Sequence, residues 1–493
     1  MFANLGKISE LSKLLSVKSD TCDVILRLMG RFGIGRTLSR HSLDKMRGRD
    51  LAGLIMSMMV FRILGETVGA MHANRFYGVL ETEKNCYYRL LARREMDWRL
   101  LLGSMALRFQ SVVRKEDAEE TMAPKCYIID DTTIEKTGFR FEGLSRVFDH
   151  VKGICLPGFK LLMLAFFDGK STYAADMSLH REAGRRKDHG LSKSERSRQY
   201  SKERSSGDPD CRRYQELDMK KTDCAVEMIR RAWKRGLRAS YALMDTWFVS
   251  ASLVKSVREK GDGAIHVVGR LKMGADRYAD GGRRHNVHEL IALHSREAKA
   301  CHKYKCMYFE VRVKMGDVPV KIFFVKVGRN RSWNAIVTTD MRMSFMKAFE
   351  TYQIRWNIEV MFKECRQYLG LGRYQGVDFD AQIADCTLCL MTHMVLTLGK
   401  RFSEYETMGE LFRVRREELL ELTQWKRNLK LIERLLVVLA EKLGVDISDT
   451  MACLIDCPQP MEEIDAFLRI LQQPGLRERA VYPFTIVNKI ITH

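Results

Sequence analysis

The chain has no run approaching 18 uncharged apolar residues, so no membrane-spanning helix is expected. Its most apolar stretch, "LAGLIMSMMVFRILG" (51–65), is interrupted by Arg62 and preceded by Arg47 and Arg49, and reads as a buried helix. The opening "MFANLGKISELSKLL" lacks the basic-then-apolar order of a signal peptide. A cysteine framework is missing too: 13 cysteines, an odd number, are scattered without regular spacing, which suits a reducing cytoplasm. The one CxxC, Cys386 and Cys389, lies in the apolar helical pattern "DCTLCLMTHMVLTL" without a second ligand pair, and does not read as a zinc site. There is no internal repeat. Acidic charge is also short, with 62 Asp+Glu against 83 Lys+Arg, a net of +21 spread along the chain. Such an excess points to a polyanionic partner, because neutralising phosphates releases counterions. A merely basic soluble enzyme would share that composition.

What is present is length and a changing texture. The 493 residues, 46% apolar and 29% charged, are those of a globular chain with room for roughly two to four domains. Residues 1–120 carry the helical patterns "SELSKLLSV", "VILRLMGRFG", "LDKMRGRDLAGLIMSMMVFRIL" and "CYYRLLARREMDWRLLLGSMALRFQSVV". Their polar faces hold Arg27, Arg31, Arg36, Arg40, Arg47 and Arg49, as a helical DNA-binding region would.

Residues 121–261 open with the strand-like runs "KCYIID", "RVFDH", "GFKLLMLAFFDG" and "STYAADMSLH". The basic, aliphatic-poor stretch 181–215 follows, expected as a loop or disordered arm, either over a nucleic acid or simply solvated. A helix, "DCAVEMIRRAWKRG", then leads into the strand "ASYALMD". Residues 262–340 are strand-rich, and helix resumes at Ser344 and dominates to about 472. The chain therefore divides into helices (1–120), an α/β unit (121–261), a β-rich segment (262–340), a helix of the same unit (341–400) and a helical region (401–493).

Two acidic residues stand where strands end: Asp130 or Asp131 in "YIIDDTT", and Asp245 in "YALMDTWF". A third, Glu359, lies in "TYQIRWNIEVMFKECRQYLGLGRYQG" (351–376). On one continuous helix, Tyr352, Arg355, Glu359, Lys363 and Arg366 would fall within an arc of roughly 80°, at the margin of an apolar face. Such a line is either an (i, i+4) ion-pair ladder or part of a site. Carboxylates drawn from separate elements suit divalent-metal phosphoryl chemistry, in which two ions serve the attacking and leaving oxygens. Singly, each acid would serve as well as a cap or turn former, Asp245-Thr246 before a helix being a good cap.

Taken together and in order, "IIDDTT", "LMDTWF" and "YQIRWNIEVMFKECR" resemble the three catalytic blocks of bacterial cut-and-paste DDE transposases of the insertion-sequence-four group, over about 125–400. That group's signature, Tyr-x₂-Arg-x₃-Glu-x₆-Lys, is matched by Tyr352, Arg355 and Glu359, with Arg366 where the pattern has Lys; Lys363 stands one turn earlier. The resemblance implies an α/β fold with an RNase H-like catalytic core, a β-rich insertion, and helical regions at both ends. It implies that Asp130 or Asp131, with Asp245 and Glu359, bind two Mg²⁺ (Mn²⁺ substituting), and that Tyr352, Arg355, Lys363 and Arg366 contact phosphates. Trp333, just before "NAIVTT", becomes the candidate to stack on a flipped base as a DNA hairpin forms, or else an ordinary core tryptophan.

The implied activity is transposition of an insertion sequence by DNA cleavage and strand transfer. The implied partners are double-stranded DNA, as terminal inverted repeats and target, and a second copy of the chain, in the bacterial cytoplasm at the nucleoid. The segment 424–444 offers an apolar helical face to a partner or to the protein's own core. A catalytically inactive, transposase-derived DNA-binding protein is the alternative.

Overall fold

The computed structural model describes residues 24–43, 45–46, 49–72, 82–117, 121–328 and 332–420. The expected helical patterns at 9–17 and 424–444, and Arg47, lie outside these. Residues Val24–Leu419 form one compact unit.

Its first part is helical: α1 (Val24–Arg31), α2 (Ile34–Arg40), α3 (Leu51–Leu64), α4 (Lys84–Leu91) and α5 (Trp98–Glu116). Two long helical patterns are shorter in the fold than in the sequence, each for the same reason. In 43–64 the helix waits until Leu51, because the Asp50 carboxylate accepts from the backbone N–H of Ala52 (3.1 Å) and Gly53 (2.9 Å) and fixes the helix start there. In 86–113 Asp97 accepts from the Leu100 N–H at 2.9 Å and divides α4 from α5.

A mixed sheet of 12 strands follows. Its strands are β1 (Cys126–Glu135), β2 (Ser145–Asp149), β3 (Ile154–Phe167), β4 (Thr172–His180), β5 (Tyr241–Met244), β6 (His266–Arg270), β7 (Arg277–Asp280), β8 (Arg283–Asn286), β9 (Lys299–Cys301), β10 (Cys306–Met315), β11 (Val318–Val327) and β12 (Asn334–Thr338). The order is β8-β7-β10-β11-β12-β6-β5-β1-β3-β2, with β4 paired to β3 and β9 to β10. Only β1–β5 and β5–β6 are parallel. The crossovers carry helices α6 (Lys221–Arg235) and α7 (Ala251–Lys260), as parallel neighbours require. The strands of the β-rich segment continue this sheet, and its first strand, β6, pairs directly with β5.

After α8 (Val287–His294) and the outer strands come α9 (Phe345–Gln353), α10 (Trp356–Leu369) and α11 (Phe379–Arg401). By length and composition α11 could cross a membrane, yet its apolar window is wholly buried within the protein. It packs against α3, α5, α10 and β4 as the central core helix. Its hydroxyls bond back to the helix, Thr387 to the Ile383 carbonyl and Thr392 to that of Leu388, so polar side chains sit in the core without orphaned donors.

The basic segment 181–215 is folded rather than a free arm. Arg204 donates to both oxygens of Glu142 (2.7 and 2.6 Å), Lys202 pairs with Asp378 (2.9 Å) and with Asp380, and Arg181 pairs with Asp218. The acids that pin it come from elsewhere in the chain, which its own local composition could not reveal.

Candidate active site at the ends of the parallel strands

Ile129 of β1 and Met244 of β5 are register partners in the parallel pair, so Asp130 and Asp245 follow side by side at the same edge of the sheet. The four residues before Asp130 and before Asp245 are buried. Strand burial thus delivers two acids to one rim. Asp245 is not a helix cap: α7 begins later, with Ser250 accepting from the Leu253 N–H at 3.3 Å.

The signature residues are not on one helix. Tyr352 lies in the last turn of α9, Ile354 and Arg355 form a turn, and Glu359 lies in the first turn of α10. Backbone bonds across the junction run to the third residue back, Ile354 to Thr351 (3.2 Å), Arg355 to Tyr352 (3.0 Å) and Ile358 to Arg355 (3.2 Å). This tighter 3₁₀-like step brings Arg355 nearly above Tyr352; the guanidinium carbon is 5.8 Å from the ring centroid.

From that step Arg355 reaches the sheet. Its Nη1 donates to Asp130 Oδ2 at 3.0 Å and its Nη2 to Glu359 Oε1 at 2.5 Å. Burial, with the negative charges of Asp131 and Asp245, pushes the Asp130 carboxyl up to about 7, although Arg355 and the Asp131 N–H pull the other way.

Asp131, next along β1 and directed to the opposite side, is ion-paired with Lys221 at the start of α6. Lys221 Nζ also lies 4.3 Å from the ring centroid of Trp247, a tryptophan 63% exposed just beyond Asp245. Arg366 donates to Thr132 Oγ1 (2.5 Å) and to the Thr133 carbonyl (2.8 Å), tying α10 to β1. Lys363 is exposed and Tyr352 half-buried.

Trp333 is half-buried at the start of β12, its ring edge-on to Phe309 at 5.0 Å and 75°. Because β12 runs antiparallel to β6 and β6 parallel to β5, Trp333 stands at the same end of the sheet as Asp245. Sequence reasoning missed Lys221 and Trp247. Trp247 stood in plain view within "LMDTWF"; Lys221 is 90 residues from Asp131 and gave no local signal.

Carboxylate oxygens are the donors that suit a hard divalent cation. Among the described residues, however, no three His, Cys, Asp or Glu side chains are gathered to ligate one ion. Arg355 stands between Asp130 and Glu359 and partners both. As folded, that guanidinium takes the place between Asp130 and Glu359, Asp245 follows beside Asp130 at the rim, and Asp131 is paired with Lys221.

Residues 54–285 match the family described as "DDE superfamily endonuclease". The span includes Asp130, Asp131 and Asp245, and ends before the Tyr352–Arg366 block. No curated protein matches the chain. Among solved structures, the chain is similar to the NurA nuclease from Sulfolobus solfataricus at 10% identity, over 56% of this chain and 86% of that one. The TM-score is 0.23, too low to argue from.

Proposed function

We propose that the protein is a DDE transposase of the insertion-sequence-four type, which cleaves transposon ends by metal-dependent hydrolysis and joins the freed 3′-OH to target DNA. The observation that carries this reading is Arg355 holding Asp130 and Glu359 together beside Asp245. The run β4-β3-β1-β5-β6, three antiparallel strands beside two parallel additions, supports an RNase H-like core.

In this reading Asp130, Asp245 and Glu359 would hold Mg²⁺, which would supply activation of the attacking oxygen and charge stabilisation of the leaving oxygen. Arg355, released from the carboxylates, swings to a phosphate oxygen, where its planar fork makes paired hydrogen bonds. Tyr352 steadies that guanidinium, and Lys363 adds charge from the exposed face of α10. Arg366 anchors α10 to β1 and thereby fixes the distance between Glu359 and Asp130. The net charge of +21 supports duplex DNA as partner, and the reading carries with it a second copy of the chain bound to the other transposon end.

The test is incubation with a linear donor carrying the native flanking repeats and Mg²⁺. Nicked, hairpinned and joined products are expected from wild type and none from Asp245→Ala or Glu359→Ala. One observation favours a second reading, a DNA-binding protein descended from such an enzyme that no longer cleaves: the guanidinium already occupies two of the three acids. Duplex binding without any product in Mg²⁺ or Mn²⁺ would establish it.

A further inference from the structure

In segment 181–215 much of the positive charge is used up internally. On the outer strands of the sheet the opposite holds. Along β10, Val311, Val313 and Met315 are buried while Arg312 and Lys314 between them are exposed, so the two cations point away from the core. Lys314 is the register partner of Ala279 on β7, and Ala279 of Arg284 on β8. Cross-strand partners share a face, which places Lys314 and Arg284 on one side of three strands. Arg277, two residues before Ala279, lies on that side too.

All four are exposed, and among the described residues none of them is in an ion pair. The acid on this face, Glu310, is already answered by Lys321 at 3.8 Å. Arg312 and Lys314 lie two residues apart on β10, and Lys314 and Arg284 flank Ala279 from either side, so the four cations form one cluster with, among the described residues, no acid between them. Their uncompensated grouping therefore points to an external polyanion. A strand face bearing two cations about 7 Å apart along β10, with one more on each of β7 and β8, inserts no helix into a groove, and so meets backbone rather than base edges.

We propose that the outer face of β7, β8 and β10 docks the phosphate backbone of duplex DNA through Arg277, Arg284, Arg312 and Lys314, without reading sequence. This rests on the nucleic-acid reading above. It adds a second contact surface, on strands away from the carboxylates.

The test measures binding by fluorescence anisotropy in EDTA, so that it stands apart from cleavage. Two duplexes of unrelated sequence are titrated across a series of KCl concentrations. Changing all four residues to Gln is expected to weaken binding to both duplexes at least tenfold. It should also flatten the log–log salt slope by up to about 3.6, at about 0.9 per phosphate contact. The charge-preserving set R277K, R284K, R312K and K314R keeps the wild-type slope. Should the fourfold variant melt early, R284Q and R312Q alone carry the test, each losing about 0.9 of slope.

Wild-type binding by folded Gln variants overturns the docking face, as does a loss confined to one of the two sequences. Binding of polyglutamate lost in place of duplex overturns it as well, in favour of an acidic protein. The two readings separate cleanly. A protein that binds through this face yet never cleaves in Mg²⁺ sinks the transposase reading and leaves the face standing.

Discussion

Arg355 and Asp130, 225 residues apart in the chain, are joined by a 3.0 Å hydrogen bond from guanidinium Nη1 to carboxylate Oδ2. The bond forms because the chain tightens to a 3₁₀-like step between α9 and α10, where a straight α-helix would have set Arg355 elsewhere. The same side chain grips Glu359, so one cation bridges the strand acid and the helix acid. The bridge holds the carboxylates near each other while no stronger cation is present.

A metal ion and Arg355 should therefore compete for the same oxygens. Arg355, Asp130 and Glu359 are only partly buried, so removing the guanidinium costs less than the roughly 3–5 kcal/mol of a fully buried pair. Arg355→Ala is accordingly expected to melt below wild type in EDTA, and to recover more than wild type when Mg²⁺ is added. Asp130→Asn and Glu359→Gln should show little Mg²⁺-dependent rise in Tm. Thermal melts across a Mg²⁺ titration check this without any DNA. An Arg355→Ala protein indifferent to both Mg²⁺ and Mn²⁺ would remove these acids from consideration as ligands.

The neighbouring aspartates are expected to part company. Asp131 is bound to Lys221, with both side chains largely buried, so its role is to balance charge. Asp131→Asn should leave Mg²⁺-dependent nicking within about threefold, well under 1 kcal/mol of barrier, whereas Asp130→Asn should remove it. Lys221→Met alone strands a buried carboxylate and should cost roughly 3 kcal/mol; the double variant Asp131→Asn, Lys221→Met should regain most of that. Denaturant melts of the four proteins close the cycle. Additive single effects would mean that the pair does not interact.

His180 gives the fold a pH dependence of definite sign. It is buried on β4, with Ser178 Oγ 2.7 Å from Nε2 and the Met219 carbonyl 3.2 Å from Nδ1. Burial, helped by the charge of Lys221, lowers its pKa from 6.5 to about 4, against the opposing pull of Glu216 and Asp131. A lowered folded value means that the unfolded chain takes the proton first. The stability from neutral His180 is thus complete above pH 6.5 and is lost as pH falls towards 4. The loss approaches roughly 3 kcal/mol, at 1.36 kcal/mol per unit. His180→Gln should flatten the fall in Tm between pH 7 and 4.5. A variant that tracks wild type throughout that range would show that His180 titrates normally.

The strands β1 to β6 and β10 to β12 were readable because each lies in an apolar run between turns, and local pattern decides such elements. The strands β7, β8 and β9, "RYAD", "RRHN" and "KAC", carry no such run and form by pairing with their neighbours. "KCYIID" and "YALM" even marked the ends at which the acids emerge. Three other things were not readable. The helix starts at Leu51 and Trp98 turn on single Asp caps inside unbroken helical periodicity. The 3₁₀-like step at Ile354–Arg355 leaves helical backbone angles on both residues, so nothing in the composition marks it. Segment 181–215 looks like a solvated arm because its partners Glu142, Asp378 and Asp380 lie far away in sequence. Asp130 and Asp131 are equivalent in the motif and become distinct only through Arg355 and Lys221, which approach from opposite sides of β1.

Trp333 carries the most specific expectation. Its edge-on contact with Phe309, which itself stacks on Phe324 at 4.8 Å, ties the indole to the packing of the β-rich segment. Losing an aromatic pair of this kind costs about 0.5–1.5 kcal/mol beyond area, so Trp333→Ala should lower stability modestly and leave the protein folded. Position argues for a second duty, since Trp333 stands at the end of the sheet where Asp245 emerges. A hairpin needs a tight backbone turn, flipping a base out costs a few kcal/mol, and stacking it on an aromatic face returns roughly 1–3 kcal/mol. Trp333→Ala is therefore expected to permit the first nick at near wild-type rate and to slow hairpin closure about ten- to a hundredfold, at 1.36 kcal/mol per decade. Trp333→Phe, which keeps an aromatic face, should recover much of that loss. Denaturing gels resolve nicked from hairpinned ends over time. Equal slowing of both steps, with the loss of stability alone accounting for it, would leave Trp333 as a packing residue and nothing more.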